Sequence, residues 1–294
     1  MIKLCKKDTK DMKKKIVIPA DVPSQKEQEY ADNYHKITQG TDNIFLFAGD
    51  QKLEHLNADF YGPTIHPDAQ DPEHLFNIAS QGRIGAFATH LGLIARYARQ
   101  YKTVNYFVKL NGKTDCIPAS QRDPISTALW TVDDVVTFKK NSDLSICGVG
   151  YTIYLGSLYE TEMLEQAGQM IFQAHQHGFF AGLWIYPRGV NIKNDTDPQL
   201  LAGAAGVAAQ LGADFVKIKA PSDVHDLKMI VAAAGNTKVI CSGGPRIDAK
   251  QCLQNVRDQL NIGGTAGCAV GRNIFQLSLK EAIALTNAIA QEIY

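Results

Sequence analysis

Two lysines in one short apolar run carry the most reactive side chains of the sequence. The run reads Ala213-Asp214-Phe215-Val216-Lys217-Ile218-Lys219, and successive side chains of a strand point to opposite faces. Lys217 and Lys219 therefore share one face, with Val216 and Ile218 on the other. Burying an unpaired ammonium group is costly. One reading is an amine that attacks a carbonyl and forms a Schiff base. Its pKa must then fall from about 10.4, and partial burial and a nearby cation both push it down. Lys219, or Lys109 from across a closed sheet, would be that cation. The other reading is a lysine paired with a carboxylate or a bound phosphate. The segment alone separates neither the two readings nor the two lysines.

Other polar side chains gather at the ends of apolar runs. In Leu183-Trp184-Ile185-Tyr186-Pro187-Arg188, alternation puts Trp184, Tyr186 and Arg188 on a common face. A tyrosine beside a lysine can relay protons, and a guanidinium suits an anionic ligand. Trp184 by itself reads as core packing sooner than as a catalytic group. Lys109 and Asn111 end another run, and Asp50 ends the first, followed by Gln51, Lys52, Leu53, Glu54 and His55. Asp50 is positioned to hold a hydroxyl or to act as an acid or base, while Glu54 and His55 read as a structural network, His55 above all. Two glycine-rich stretches, Ser242-Gly243-Gly244-Pro245 and Gly271-Arg272-Asn273, let backbone N–H groups approach an anion, and the second runs into a short helical segment.

These residues need a scaffold that turns strand ends into a site. After about Asn43 the chain alternates strand-like and helix-like segments. Strands are expected at 44–49, 85–89, 104–110, 145–153, 179–186, 213–219, 238–242 and 265–270. Helices are expected at 73–80, 93–101, 132–139, 158–177, 198–211, 224–234, 249–260 and 279–293. Asp71-Pro72 and Asp197-Pro198 read as helix starts, and Gly178, Gly212 and Gly235 as helix stops. Eight such units over about 250 residues suit a closed (β/α)₈ TIM barrel, an α/β fold whose sites form at the carboxyl ends of the strands. An open doubly wound sheet is the rival, but it would normally offer GxGxxG after the first strand, and here that strand ends Gly49-Asp50-Gln51-Lys52. The division is then residues 1–43 as an N-terminal extension, with a helix over 24–37, and residues 44–294 as the catalytic barrel. The extension is expected to pack on the barrel or on a neighbouring subunit. A long connection, 116–131, follows the third strand.

Composition removes several function classes. Acidic and basic residues balance at 30 each among 294, so there is no bulk field for nucleic acid or an anionic membrane. No apolar run approaches the roughly 20 residues of a membrane span, and the Lys-rich start lacks the apolar stretch of an export signal. The six cysteines are scattered without a CxxC pair, which reads as free thiols in the cytoplasm. Of the eight histidines, only His55 and His90 fall near the expected barrel mouth, so a metal site is not expected, nor any other cofactor.

Taken in order, the segments resemble the archaeal-type class I fructose-bisphosphate aldolases, a family with dehydroquinate-pathway and signalling-sugar-phosphate branches. The resemblance rests on Asp50-Gln51 with Glu54-His55 and Ala58-Asp59-Phe60, the run Lys109 to Thr114, and Val149 to Tyr154 with Gly156-Ser157. It continues through Trp184 to Gly189, Gly212 to Lys219, Ser242 to Pro245, and Gly271 to Asn273. It implies a TIM barrel, metal-independent lyase chemistry of glycolysis and gluconeogenesis, a phosphorylated sugar as substrate, and a homo-oligomer. It assigns the Schiff base to Lys217, proton relay to Tyr186, substrate contact to Asp50 and site shape to Trp184. Ser242, Gly243, Gly244, Gly271 and Arg272 become the binding site of the C1 phosphate. Arg188, Lys219, Lys109 and Asn111 complete the expected substrate contacts. The chain departs from the family at Lys52 and Leu56, where glycines are usual, and at Ala220 to Asp223. Lys52 is a candidate contact for a second phosphate. Aldol or acyl transfer on another sugar phosphate, or a non-catalytic sugar-phosphate-binding barrel, are the competing readings.

Overall fold

The computed structural model describes residues 16–294. The Lys-rich start and Cys5 lie outside them. Eight parallel strands close into a barrel: β1 (Ile44–Ala48), β2 (Ala86–His90), β3 (Tyr106–Lys109), β4 (Ile146–Leu155), β5 (Phe180–Pro187), β6 (Phe215–Ile218), β7 (Lys238–Ser242) and β8 (Gly267–Val270). Each pairs with its sequence neighbours, and β1 pairs with β8 to close the ring. The expected strands and helices agree to within a few residues. β4 runs on to Leu155, two residues past its expected end, because it stays in register with β5 from Gly148↔Phe180 to Leu155↔Pro187. The expected helix stops hold as well: Gly178, Gly212 and Gly235 all take positive φ, which costs glycine nothing.

Aromatic rings fill the barrel interior, and glycines make room for them. Phe107, Trp184 and Phe215 meet with ring centroids 5.4–5.8 Å apart. A Cβ on Gly150 would lie 2.2 Å from the Trp184 ring, and one on Gly182 would lie 2.1 Å from Phe215. This pairing of small with large residues on adjacent strands gives the site a solid floor.

The opposite end is closed by the segment before the barrel. The expected helix over 24–37 is a short 3₁₀ turn, Ser24–Lys26, leading into an α-helix, Glu27–Thr38. It packs on the barrel itself. Tyr34 meets Phe180 edge-on at 5.7 Å, and Asn33 Nδ2 donates to the Gly178 carbonyl. The Tyr30 hydroxyl donates to Asp214, which also faces the buried His175. The His175 ring is held on its other side by Asp21. Burial would lower the His175 pKa, but Asp214 and Asp21 override it and raise it to about 9.

Candidate active site

The cavity at the carboxyl end of the strands has a volume of about 580 Å³. Its floor is the indole of Trp184, with Lys109 and Lys217 side by side above it. The Lys109 Nζ lies 5.1 Å from the ring centroid and the Lys217 Nζ 5.5 Å. Lys109 comes from the end of β3 and Lys217 from β6, where it pairs in register with Trp184. A single-turn helix, Gln51–Glu54, follows β1 with Asp50 as its N-cap. Residues four apart on a helix face the same way, so Asp50 and Glu54 both reach the Lys109 ammonium, at 3.1 and 3.2 Å.

Charge separates the two lysines. Burial would depress Lys109, but the Glu54 and Asp50 carboxylates override it and hold its pKa above the ordinary value. Among the described residues, no carboxylate lies within ion-pair distance of Lys217. Burial pushes its pKa down, the Lys109 cation adds to this against the opposing pull of Asp50 and Glu54, and it falls to about 8. Burial would raise the Asp50 carboxyl, yet Lys109 and Lys217 hold it below the usual carboxylate range. Tyr186 lines the same cavity. Its phenol is pushed well above its ordinary pKa by burial and by Asp50 and Glu54, so it carries its proton at neutral pH.

The opposite wall is built from the β7 and β8 loops. Ser242, Gly243, Gly244, Gly271 and Arg272 all line the cavity. Asn273 ties the loops together by donating to the Gly243 and Pro245 carbonyls and accepting from the Ile247 N–H. Gly244 takes φ +65° at the turn. Asp59 accepts from His55 and lies 3.5 Å from the Arg272 guanidinium, so the segment after β1 braces this wall. Arg188 stands at the rim with its guanidinium 5.4 Å from the Tyr154 ring.

Residues 44–277 match the model of the DeoC/LacD family aldolases. The chain belongs to this family. A relative from Methanocaldococcus jannaschii, named fructose-bisphosphate aldolase/6-deoxy-5-ketofructose 1-phosphate synthase, is 52% identical over 280 residues, which cover 94% of this chain and 90% of its own. The class 1 fructose-bisphosphate aldolase of Halobacterium salinarum is 34% identical, over 79% of this chain and 84% of its own. Among solved structures, a fructose-bisphosphate aldolase from Slackia heliotrinireducens superposes with a TM-score of 0.91 at 49% identity, covering 94% of this chain and 88% of its own. An archaeal fructose-1,6-bisphosphate aldolase, with its catalytic lysine covalently bound to the carbinolamine intermediate, superposes with a TM-score of 0.79 at 31% identity. That match covers 90% of this chain and 99% of its own.

Within this aldolase barrel, twelve of the thirteen residues singled out from the sequence line one cavity. Asn111 does not. Its amide donates to the Ser126 and Thr152 carbonyls and accepts from the Thr152 N–H, so it fastens the end of β3 to β4. Lys219 sits at the rim, just past the last residue of β6, in an ion pair with Asp195. The cation that accompanies Lys217 is therefore Lys109, not Lys219. Lys52 is turned away from the cavity. Its ammonium donates to the Gln70 carbonyl and lies 3.9 Å from the Phe60 ring centroid. Leu56, at the other position where the family usually has glycine, takes φ +54°, the left-handed region that glycine enters without strain. Sequence reasoning missed the role of Glu54 and did not single out Asp195. The four-residue spacing from Asp50 was the available signal for Glu54. Among the described residues, no three His, Cys, Asp or Glu side chains converge as metal ligands, and no helix is long and apolar enough to cross a membrane.

Proposed function

We propose that this protein is a class I aldolase that reversibly cleaves fructose 1,6-bisphosphate into dihydroxyacetone phosphate and glyceraldehyde 3-phosphate through a Schiff base on Lys217. The observation that carries the reading is the pair of lysines over Trp184, one held as a cation by two carboxylates and the other pushed down to about 8. A lysine near that value is neutral in about a tenth of the molecules at pH 7, far more than at the ordinary value of about 10.4, and so available as a nucleophile.

The chemistry follows from the side chains. The Lys217 amine attacks C2 of the ketose, and its nitrogen bonds to carbon as the carbonyl oxygen takes up a proton. Loss of that oxygen as water leaves a protonated imine, so the step consumes one proton overall. The imine draws electrons as the C3–C4 bond breaks and the C4 hydroxyl gives up its proton to solvent water, which releases glyceraldehyde 3-phosphate and leaves an enamine. Tyr186, protonated at neutral pH, delivers a proton to C3 and recovers one from solvent, which balances the proton lost from C4. Water then hydrolyses the imine and frees Lys217. Asp50 is suited to hold a substrate hydroxyl. The loops at Ser242–Gly244 and Gly271–Arg272 are suited to the C1 phosphate, and anchoring it orients the reacting carbons. Arg188 and Lys219 offer positive charge at the rim for the other end of the substrate, and no cofactor is required. On the same reading the enzyme works in the cytoplasm as a homo-oligomer.

The test is a coupled assay of triose phosphate release from fructose 1,6-bisphosphate, run beside a panel of phosphorylated ketoses. The bisphosphate should give the highest kcat/KM. Turnover confined to another ketose phosphate would overturn the substrate assignment while leaving the Schiff base in place.

A further inference from the structure

We propose that Glu54 is a positioning residue that supplies the counter-charge of the protonated imine on Lys217, acting across Lys109. The inference rests on the Schiff-base reading and assigns a task to a carboxylate which that reading leaves idle.

The charge count carries the argument. Lys109 is one cation, almost fully enclosed, and it is held by two carboxylates at nearly equal distance, Asp50 at 3.1 Å and Glu54 at 3.2 Å. One carboxylate would neutralise it. The second leaves the floor with a surplus negative charge for as long as Lys217 is a neutral amine. Imine formation brings in one proton and one positive charge, and Lys217 lies over the same indole as Lys109. The floor is thus balanced when the Lys217 nitrogen is charged, as it is in the imine, and not when it is the neutral amine that attacks. In a site of low effective dielectric, such an imbalance favours the state that removes it.

Nothing else near Lys217 fills this role. The charged groups acting on it are Asp50, Glu54, Lys109 and Arg272, and Arg272 has its own partner in Asp59. The other buried groups of the site stay uncharged, and at the rim Lys219 pairs with Asp195 and His55 with Asp59, while Arg188 lies against the Tyr154 ring. Burial holds His90 below its ordinary value with its Nε2 against the Asn111 carbonyl, while Tyr154, Tyr186 and Cys268 are all pushed well up by burial. Asp50 is also the group suited to hold a substrate hydroxyl, so Glu54 is the carboxylate left to balance the imine.

The test is borohydride trapping with dihydroxyacetone phosphate, read by intact mass, on the wild type, Glu54→Gln and the double variant Glu54→Gln/Lys109→Met. Glu54→Gln is expected to lower the equilibrium trapped fraction about tenfold at limiting ligand. It should also move the pH midpoint of Lys217 trapping down by about one unit, because a neighbouring anion that raised it is gone. Removing Lys109 together with Glu54 takes away one charge of each sign, so the double variant should regain trapping relative to the single one, whatever its kcat. A residue that only shapes the site would give no such recovery. Far-UV circular dichroism and competition by inorganic phosphate report whether each variant is folded with its anion wall intact, and Glu54→Asp, which keeps the charge, should retain the wild-type pH midpoint. Unchanged trapping and pH midpoint in Glu54→Gln would overturn the inference alone, as would a double variant no better than the single one. Absence of any adduct in the wild type would overturn the Schiff-base reading and this inference with it.

Discussion

Lys217 and Trp184 are register partners on adjacent strands, and the lysine's amine lies 5.5 Å from the centre of the indole. The contact lets a lysine be buried without an ion pair of its own. The indole lies against the amine, and burial holds the amine's pKa down despite the opposing pull of Asp50 and Glu54.

The pH dependence of catalysis follows from this arrangement. The amine must be neutral to attack, so kcat/KM should rise about tenfold per unit as pH increases toward 8, then level off. A lysine at its ordinary value would keep the curve climbing past pH 9.5. Initial rates between pH 7 and 10 distinguish the two.

In the proposed mechanism Tyr186 supplies the proton that the enamine needs. Tyr186→Phe keeps the ring and removes the hydroxyl, and it should lower kcat by about 10²–10⁴-fold while the Schiff base with dihydroxyacetone phosphate still forms. Loss of trapping in parallel with kcat would point to an earlier role, in forming the imine.

The barrel floor depends on missing side chains. A methyl group at Gly150 would collide with Trp184, and over-packing of this kind costs about 1–3 kcal/mol. Gly150→Ala should lower both stability and activity, because the same ring supports both lysines. Urea melts and the trapping rate together test this; a destabilised variant with normal trapping would mean the floor tolerates the shift.

How much of this could be read from the sequence depended on the length of the pattern involved. The barrel was legible because apolar runs alternate with helical patterns eight times, and because Gly178, Gly212 and Gly235 sit just past helix ends with positive φ. The cavity residues followed from strand alternation. Choosing between Lys217 and Lys219 was a different matter, since both lie on one face of the run. The choice turns on β6 ending at Ile218, which leaves Lys219 at the rim with Asp195. Glu54 was obscured because its helix is a single turn with no apolar periodicity, and Asn111 because a buried amide that staples backbone looks, as a residue type, like one that binds ligand. Asp195 lies in a connection whose path no local pattern dictates.

The far end of the barrel has its own pH response. His175 titrates at about 9 in the folded protein, against about 6.5 when unfolded. Because its folded value is raised, its contribution is fully present below pH 6.5 and is lost as pH rises through 9. The shift corresponds to about 3 kcal/mol. Replacing His175 with Gln should therefore cost the most stability near pH 6 and clearly less near pH 9.5. Denaturant melts at the two pH values check this, and an equal loss at both would show that Asp21 and Asp214 do not hold a charged imidazole.

The central claim is that Lys217 is the nucleophile, and peptide mapping tests it most directly. The enzyme is reduced with borohydride in the presence of dihydroxyacetone phosphate, digested, and the modified lysine located by mass spectrometry. The account predicts a single adduct on the peptide carrying Lys217, absent without the ligand and absent in Lys217→Met. An adduct on Lys219 or Lys109, with Lys217 unmodified, would contradict it.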